Sequence, residues 1–508
     1  MTNEPIIDGD SCRPAPLAMD TATFRTLGHR LVDKIADFLE SLPHRPVTRD
    51  ESPSAVRSAL DLTGPLPELG TDPGSLLEQT AEFLFAHSLF NGHPRFFGYV
   101  TAPPAPIGVL GDFLASAVNP NVGAWTLSPA ATEIELQTVR WIASFIGFPA
   151  DCGGLLVSGG NMANFICLLA ARAAKATWNV REQGISNQSG PRLTLYGSTE
   201  THTWIQKAAD LSGLGTSAIR WIPTDKKLRM DVSALLVQME KDRTQGNLPC
   251  FVIGTAGSVS TGAVDPLRNI ANICREYGAW FHVDGAYGGF AAAVDSASDD
   301  LRGLCQADSV AVDPHKWLYA PLEAGCALVR DSDKLRAAFA YHPPYYHFDE
   351  QATNYVDYGP QNSRGFRALK VWLALKQVGA AGYRKMIADD IRLSQAMARA
   401  VSRHAELELI TQELSIATFR YVPPDLRAEL GRAQIDQYVD TLNREILERL
   451  QTGGETFVSN AVVDGRYVLR ACIVNFHTTE TDVEAVPDII TRVGRSVDAQ
   501  RTDPKVSE

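Results

Sequence analysis

The chain has 508 residues, 45% of them hydrophobic and 21% charged, which is apolar material for two or three domains rather than one. Its formal net charge of −12 repels phosphate backbones and anionic lipid headgroups, so neither nucleic acid nor a membrane is expected as a partner. No apolar run is long enough to span a bilayer, the first twenty residues lack a basic, apolar signal pattern, and the eight cysteines form no Cys-x-x-Cys pair; a cytoplasmic protein without a zinc cage or a disulfide framework is expected.

After a Pro- and Asp-rich tail, Phe24, Leu27, Leu31, Ile35, Phe38 and Leu39 recur at helical spacing and predict a helix over 23–42. A Pro-rich connector and a second helix over 75–87 follow. Two helices with so few partners cannot build a core alone, so they are expected to pack elsewhere on the protein or on a second subunit. From 106 to 375, β-rich runs (192–196, 250–255, 280–284, 309–313, 326–330) alternate with helical stretches such as 161–176, 204–211 and 266–277. That alternation predicts an α/β domain with a mainly parallel sheet, which binds ligands at the carboxyl ends of its strands. From 376 on, helices over 381–404, 433–451 and 482–496 and strands within 407–421 and 467–475 predict a smaller α+β domain. The expected domains are 1–105, 106–375 and 376–508.

The most informative segment is Ser309-Val-Ala-Val-Asp-Pro-His-Lys-Trp-Leu318. It sets Lys316 at a strand end among bulky rings, where a desolvated lysine becomes a nucleophile or forms a Schiff base. Alone, such a lysine reads as an ordinary surface residue; its companions argue otherwise. Asp284 ends the apolar run Trp280-Phe-His-Val-Asp284, a costly place for a carboxylate without a cation. A pyridinium nitrogen is such a cation, and helix capping is the bland alternative. Gly154-Leu-Leu-Val-Ser-Gly-Gly-Asn161 runs into a helix and makes a phosphate site from free N–H groups, without the Walker lysine or the three-glycine dinucleotide pattern. His202 follows a strand and is placed to stack on a ring or move a proton, although a lone histidine is more often structural. Thr255 closes another strand and offers a hydroxyl.

Four segments in order, His93-Pro-Arg-Phe-Phe97, Ser128-Pro-Ala-Ala-Thr-Glu133, His282-Val-Asp284 and Pro314-His-Lys-Trp317, resemble the pyridoxal-5′-phosphate (PLP) decarboxylases typified by aromatic-L-amino-acid decarboxylase. The resemblance covers most of the chain from about residue 23. It implies the fold-type I, aminotransferase-like architecture, with an N-terminal helical segment wrapping the partner of a homodimer and the active site at the dimer interface. It also implies decarboxylation of an aromatic L-amino acid. By matched position Lys316 would carry PLP covalently, Asp284 would pair with the pyridine nitrogen, His202 and Ala286 would flank the ring, and Gly160 and Asn161 would hold the phosphate. Thr255, Asp313 and His315 would complete the pocket. Tyr345, with Tyr346 adjacent, would be the loop tyrosine that protonates the substrate carbon; a Phe there accompanies aldehyde-forming relatives.

Three departures qualify the match. Asp313 stands where the aromatic branch has Asn. Ala102 replaces a Thr that contacts substrate. Asn121 and Gly123 replace an aliphatic and an aromatic side chain, which implies a roomier, more polar pocket with Phe97, Tyr99 and Trp125 left to pack on a ring. The alternatives are an aldehyde synthase, a decarboxylase of acidic amino acids with Arg95 as the distal cation, and a non-catalytic scaffold, which would be expected to lose Lys316 or Asp284.

Overall fold

The computed structural model describes residues 15–185, 190–344 and 352–501. They fall into two compact units, Met1–Phe90 and Asn91–Glu508. Among the described residues no helix is long and apolar enough to cross a membrane.

In the first unit, helices run Thr21–Ser41, Pro53–Ala59 and Pro73–His87. Asp20, Ser52 and Asp72 open them by accepting from first-turn N–H groups. The middle helix replaces part of the expected connector: Ser52 caps it, and Pro53 at its first position loses no needed donor. Phe38 stacks on Phe85 with ring centroids 4.2 Å apart, and the Arg45 guanidinium lies 5.1 Å from the Phe38 ring. The ion pairs of Arg30 and Lys34 with Glu78 and Glu82 are exposed and contribute little.

The second unit holds two sheets. Seven strands, β1 (Gly153–Val157), β2 (Leu193–Ser198), β3 (Ile219–Ile222), β4 (Leu248–Thr255), β5 (Trp280–Asp284), β6 (Ser309–Val312) and β7 (Gly325–Val329), pair in the order β1-β7-β6-β5-β4-β2-β3. All run parallel except β7, which is antiparallel to both neighbours. Every residue of β1, β2, β5, β6 and β7 is buried, as in a sheet covered by helices on both faces. Two of these strands are not expected from the sequence: β1, which the glycine-rich segment disguises as a turn, and β3, which is four residues long.

A long helical run, Ala368–Ser402, spans the junction between the two sheets and is broken only at Gly379, whose φ of 68° is left-handed. The expected helix from residue 381 is the second half of this run. The smaller sheet, β8 (Leu407–Glu413), β9 (Ile416–Tyr421), β10 (Ser459–Val463) and β11 (Arg466–Cys472), is antiparallel in the order β10-β11-β9-β8. Helices Ala433–Gly453 and Glu480–Asp498 bury Leu442, Ile446, Val486 and Ile490 with Phe419 and Leu469 of this sheet.

Candidate active site

Parallel register decides what meets what. Thr255 pairs with Asp284, and Asp284 with Ala311, so the ends of β4, β5 and β6 share one edge. The segments following β1 and β2 reach the same edge. A cavity of about 680 Å³ opens there. Gly160, Asn161, His202, Thr255, Asp284, Ala286, Asp313, His315 and Lys316, scattered over more than 150 positions in sequence, all line it.

Lys316 stands in a single helical turn, Pro314–Trp317, directly after β6. Its amine lies 2.8 Å from Asp313 Oδ2. Asp313 is almost wholly buried, and its Oδ1 has no hydrogen-bond partner among the described residues. His315 donates from Nδ1 to Ala324 O at 2.7 Å, which leaves Nε2 facing Asp313 at 3.7 Å; burial lowers its pKa. Burial lowers the pKa of His202 too, so at neutral pH it is the uncharged imidazole.

Three features test whether PLP fits here. The helix Gly160–Lys175 begins without a side-chain cap, and its first ladder bonds run from Met162 and Ala163 to Gly159 O. The earlier N–H groups, at Gly160 and Asn161, are therefore left for an anion, as a phosphate requires. A Cβ on Gly160 would come within 2.7 Å of Asp313 Oδ2 and 3.0 Å of Ala286 Cβ, so a glycine keeps this corner open. Asp284, 7% exposed, accepts from Trp204 Nε1 at 2.7 Å and from Ala286 N at 3.2 Å, and no cation of the described residues pairs with it. A buried carboxylate with only neutral donors calls for a cationic ligand, and a protonated pyridine is one. Thr255 adds a buried hydroxyl with no partner among the described residues. Asp265 holds Thr255 in place by accepting its N–H at 2.8 Å, and burial pushes the Asp265 carboxyl up to about 6. The residues fit the cofactor.

Other expectations change. Arg95 does not line the cavity; it is bound to Asp482 at 3.1 Å. Asn121 Oδ1 accepts from Gly123 N and Arg364 N, and a Cβ on Gly123 would strike Asn362 O at 2.3 Å. The two positions therefore build a turn and do not make the cavity of this chain more polar. Phe97 is fully buried, and Trp125 donates to Glu133 at 2.9 Å; of the three expected aromatics only Tyr99 lines the cavity. Tyr345 and Tyr346 lie outside the described residues.

The sequence reading also misses residues. Arg470, 3% exposed on β11, lines the cavity without any acidic partner among the described residues. Its Nη1 donates to Tyr99 O at 3.0 Å, and Nε and Nη2 have no partner among the described residues. This bond holds Tyr99 in a left-handed conformation, φ 52°. Glu135 accepts from Leu156 N of β1 at 2.8 Å and pairs with buried Arg364, anchoring the strand that delivers the glycine turn.

Asp390 lies beneath the lysine turn and accepts from Trp317 Nε1 at 2.8 Å and Tyr319 OH at 2.7 Å. Complete burial pushes its carboxyl from 3.8 up to about 7. The folded chain thus favours the protonated form. This contribution to stability is intact below about pH 4 and is lost as the pH rises through about 7, at a cost of a few kcal/mol. Asp390→Asn, which cannot ionise, is expected to lose less melting temperature than the parent between about pH 6 and about pH 8. Equal losses in parent and variant would show that this carboxyl does not titrate in that window.

A family model described as the pyridoxal-dependent decarboxylase conserved domain matches residues 65–422. The chain is 35% identical to an aromatic-L-amino-acid decarboxylase of Bacillus atrophaeus, over 92% of this chain and 94% of the relative. It is 29% identical to a phenylacetaldehyde synthase of Petunia hybrida, over 92% and 93%. Among solved structures it is similar to Oryza sativa TDC with PLP and tryptamine (TM-score 0.87, 27% identity, 95% of this chain and 99% of that one). Mouse CSAD is similar to the same degree (TM-score 0.88, 26% identity, 94% and 99%).

Proposed function

The chain belongs to the pyridoxal-dependent decarboxylases, and from that premise we propose that it converts an aromatic L-amino acid to the amine and carbon dioxide, with PLP held on Lys316. The observation that carries the reading is that the Lys316 amine and the cation-free Asp284 carboxylate face one cavity, with an uncapped helix start on its wall.

PLP supplies an electron sink for the pair left behind when the Cα–carboxylate bond breaks. The protein's own residues do the rest. The N–H groups of Gly160 and Asn161 hold the phosphate at the helix start. The Asp284 carboxylate keeps a proton on the ring nitrogen. Ala286 and His202, which both line the cavity, would hold the ring. Tyr99, Val100, Val259, Leu322 and Ala461 give the cavity an apolar wall suited to an aromatic side chain. Delivery of the Cα proton we assign, as the resemblance implies, to Tyr345. A homodimer is part of the proposal: Leu110, Phe113, Leu114 and Val118 of the helix Pro106–Val118 are all more than half exposed on the single chain, a face that a second copy would cover.

Arg470 is the cation we assign to a substrate carboxylate. A charge-assisted hydrogen bond is worth about 1.5–3 kcal/mol, so Arg470→Met is expected to raise KM by roughly ten- to a hundredfold, with a smaller fall in kcat. An unchanged KM would remove Arg470 from substrate binding.

The test of the function is a panel of single L-amino acids, with amine, carbon dioxide and hydrogen peroxide all quantified. Equimolar amine and carbon dioxide from Trp, Tyr, DOPA or Phe is the expected result. Turnover confined to Asp or Glu would overturn the substrate class, and stoichiometric peroxide would make the chain an aldehyde synthase.

A further inference from the structure

The geometry points to Trp204 as a positioning residue that sets the ring-binding carboxylate without neutralising it. The inference rests on the reading that Asp284 meets the pyridine nitrogen of PLP. Trp204 opens the helix Trp204–Leu211, which follows β2, whereas Asp284 ends β5. Its indole Nε1–H donates to Asp284 Oδ2 at 2.7 Å, and the other oxygen, Oδ1, accepts from Ala286 N at 3.2 Å. Donors from two different elements thus grip the two oxygens, and the carboxylate plane cannot rotate without breaking one of these bonds.

The kind of donor matters as much as its place. An arginine or lysine here would orient Asp284 equally well, but it would also compete with the ring nitrogen for the charge. An indole is neutral, so the full negative charge remains available to a pyridinium. The same residue also orients His202. Its backbone N–H donates to His202 Nδ1 at 3.3 Å, which puts the proton of the neutral imidazole on Nε2. Trp204 can perform both roles because it is immobile: it is 1% exposed, and its ring meets Phe251 and His282 edge-on at 6.5 and 5.9 Å. Neither composition nor local spacing marks it, and packing alone would be satisfied by any large apolar side chain.

Trp204→Phe keeps a ring in the core and deletes the N–H. The full-length variant, stripped of PLP and titrated back with PLP, is expected to bind it about tenfold more weakly than the parent, the loss of roughly one charge-assisted hydrogen bond. The PLP-free variant should still fold, with a far-ultraviolet circular dichroism spectrum that overlays the parent's, although trimming a buried ring lowers its melting temperature. Combined with Asp284→Asn, the two changes should be less than additive in PLP affinity, because the indole acts through that carboxylate. If the Phe variant does not fold, β-(3-benzothienyl)alanine introduced at 204 replaces the N–H with sulfur in a near-identical ring. PLP affinity within about twofold of the parent, or strict additivity with Asp284→Asn, would reduce Trp204 to core packing. A parent chain that fails to bind PLP at all is a different outcome, and it sinks the reading of the site rather than the role of Trp204.

Discussion

Lys316→Ala is expected to abolish decarboxylation and to leave a chain that no longer shows the visible absorbance of lysine-bound PLP. The side chain contributes to no core. It is about a fifth exposed, and its one polar contact among the described residues is the 2.8 Å pair with Asp313, so the fold should survive its removal. The uncapped helix start and Asp284 also remain, so PLP should still bind, only without a covalent link. What is lost is the amine that would hold the cofactor covalently. Removing a covalent nucleophile elsewhere costs at least about 10³-fold in kcat, and the same scale is expected here. Borohydride reduction of the parent followed by peptide mass mapping identifies the lysine independently of activity. The label should fall on the peptide that contains Lys316. Two other lysines lie close enough to influence the site electrostatically, Lys207 through His202 and Lys370 through His315. A label on either of these would overturn the assignment.

Lys316 and Asp284 are legible in the sequence because each sits at the end of a short β-rich run, and in a parallel sheet all such ends share one edge. Legibility fails where a partner is remote. Trp204 reaches a carboxylate 80 positions away, Arg470 a carbonyl 371 positions away, and Asp390 an indole 73 positions away. No local pattern announces any of these bonds. The two arginines make the point most directly. Arg95 stands in a family-like motif and looks available, but Asp482 takes it; Arg470 sits in a strand that the sequence predicts but does not tie to the site, and it faces the cavity without an acid among the described residues. The same holds for strands. The glycines of β1 lower its local β signal, and only burial between β7 and the covering helices makes it a strand. Asn121 is a further case, since a polar residue that suggests a polar pocket is occupied by two backbone N–H groups.

Asp284→Asn should separate binding from chemistry. Asn keeps the size of the side chain and can still accept from Trp204 Nε1, so the β5 end and the Lys316 link to PLP should persist, and with them the visible absorbance. What Asn cannot do is supply a negative charge to hold a proton on the ring nitrogen. Preorganised electrostatic partners of this kind are worth about 10²–10³ in kcat, and a fall of that size with a much smaller change in KM is expected. The pH profile should change as well. With the carboxylate present, the ring nitrogen would stay protonated across the working range. In the variant only solvent can protonate it, so residual activity should climb as the pH falls, a slope that the parent lacks. The competing explanation is that Asp284 merely closes the turn through Ala286 N. That role is geometric and would be pH-independent. A variant with near-parental kcat, or with lower kcat but an unchanged pH profile, would show that the carboxylate shapes the loop and does not tune the ring.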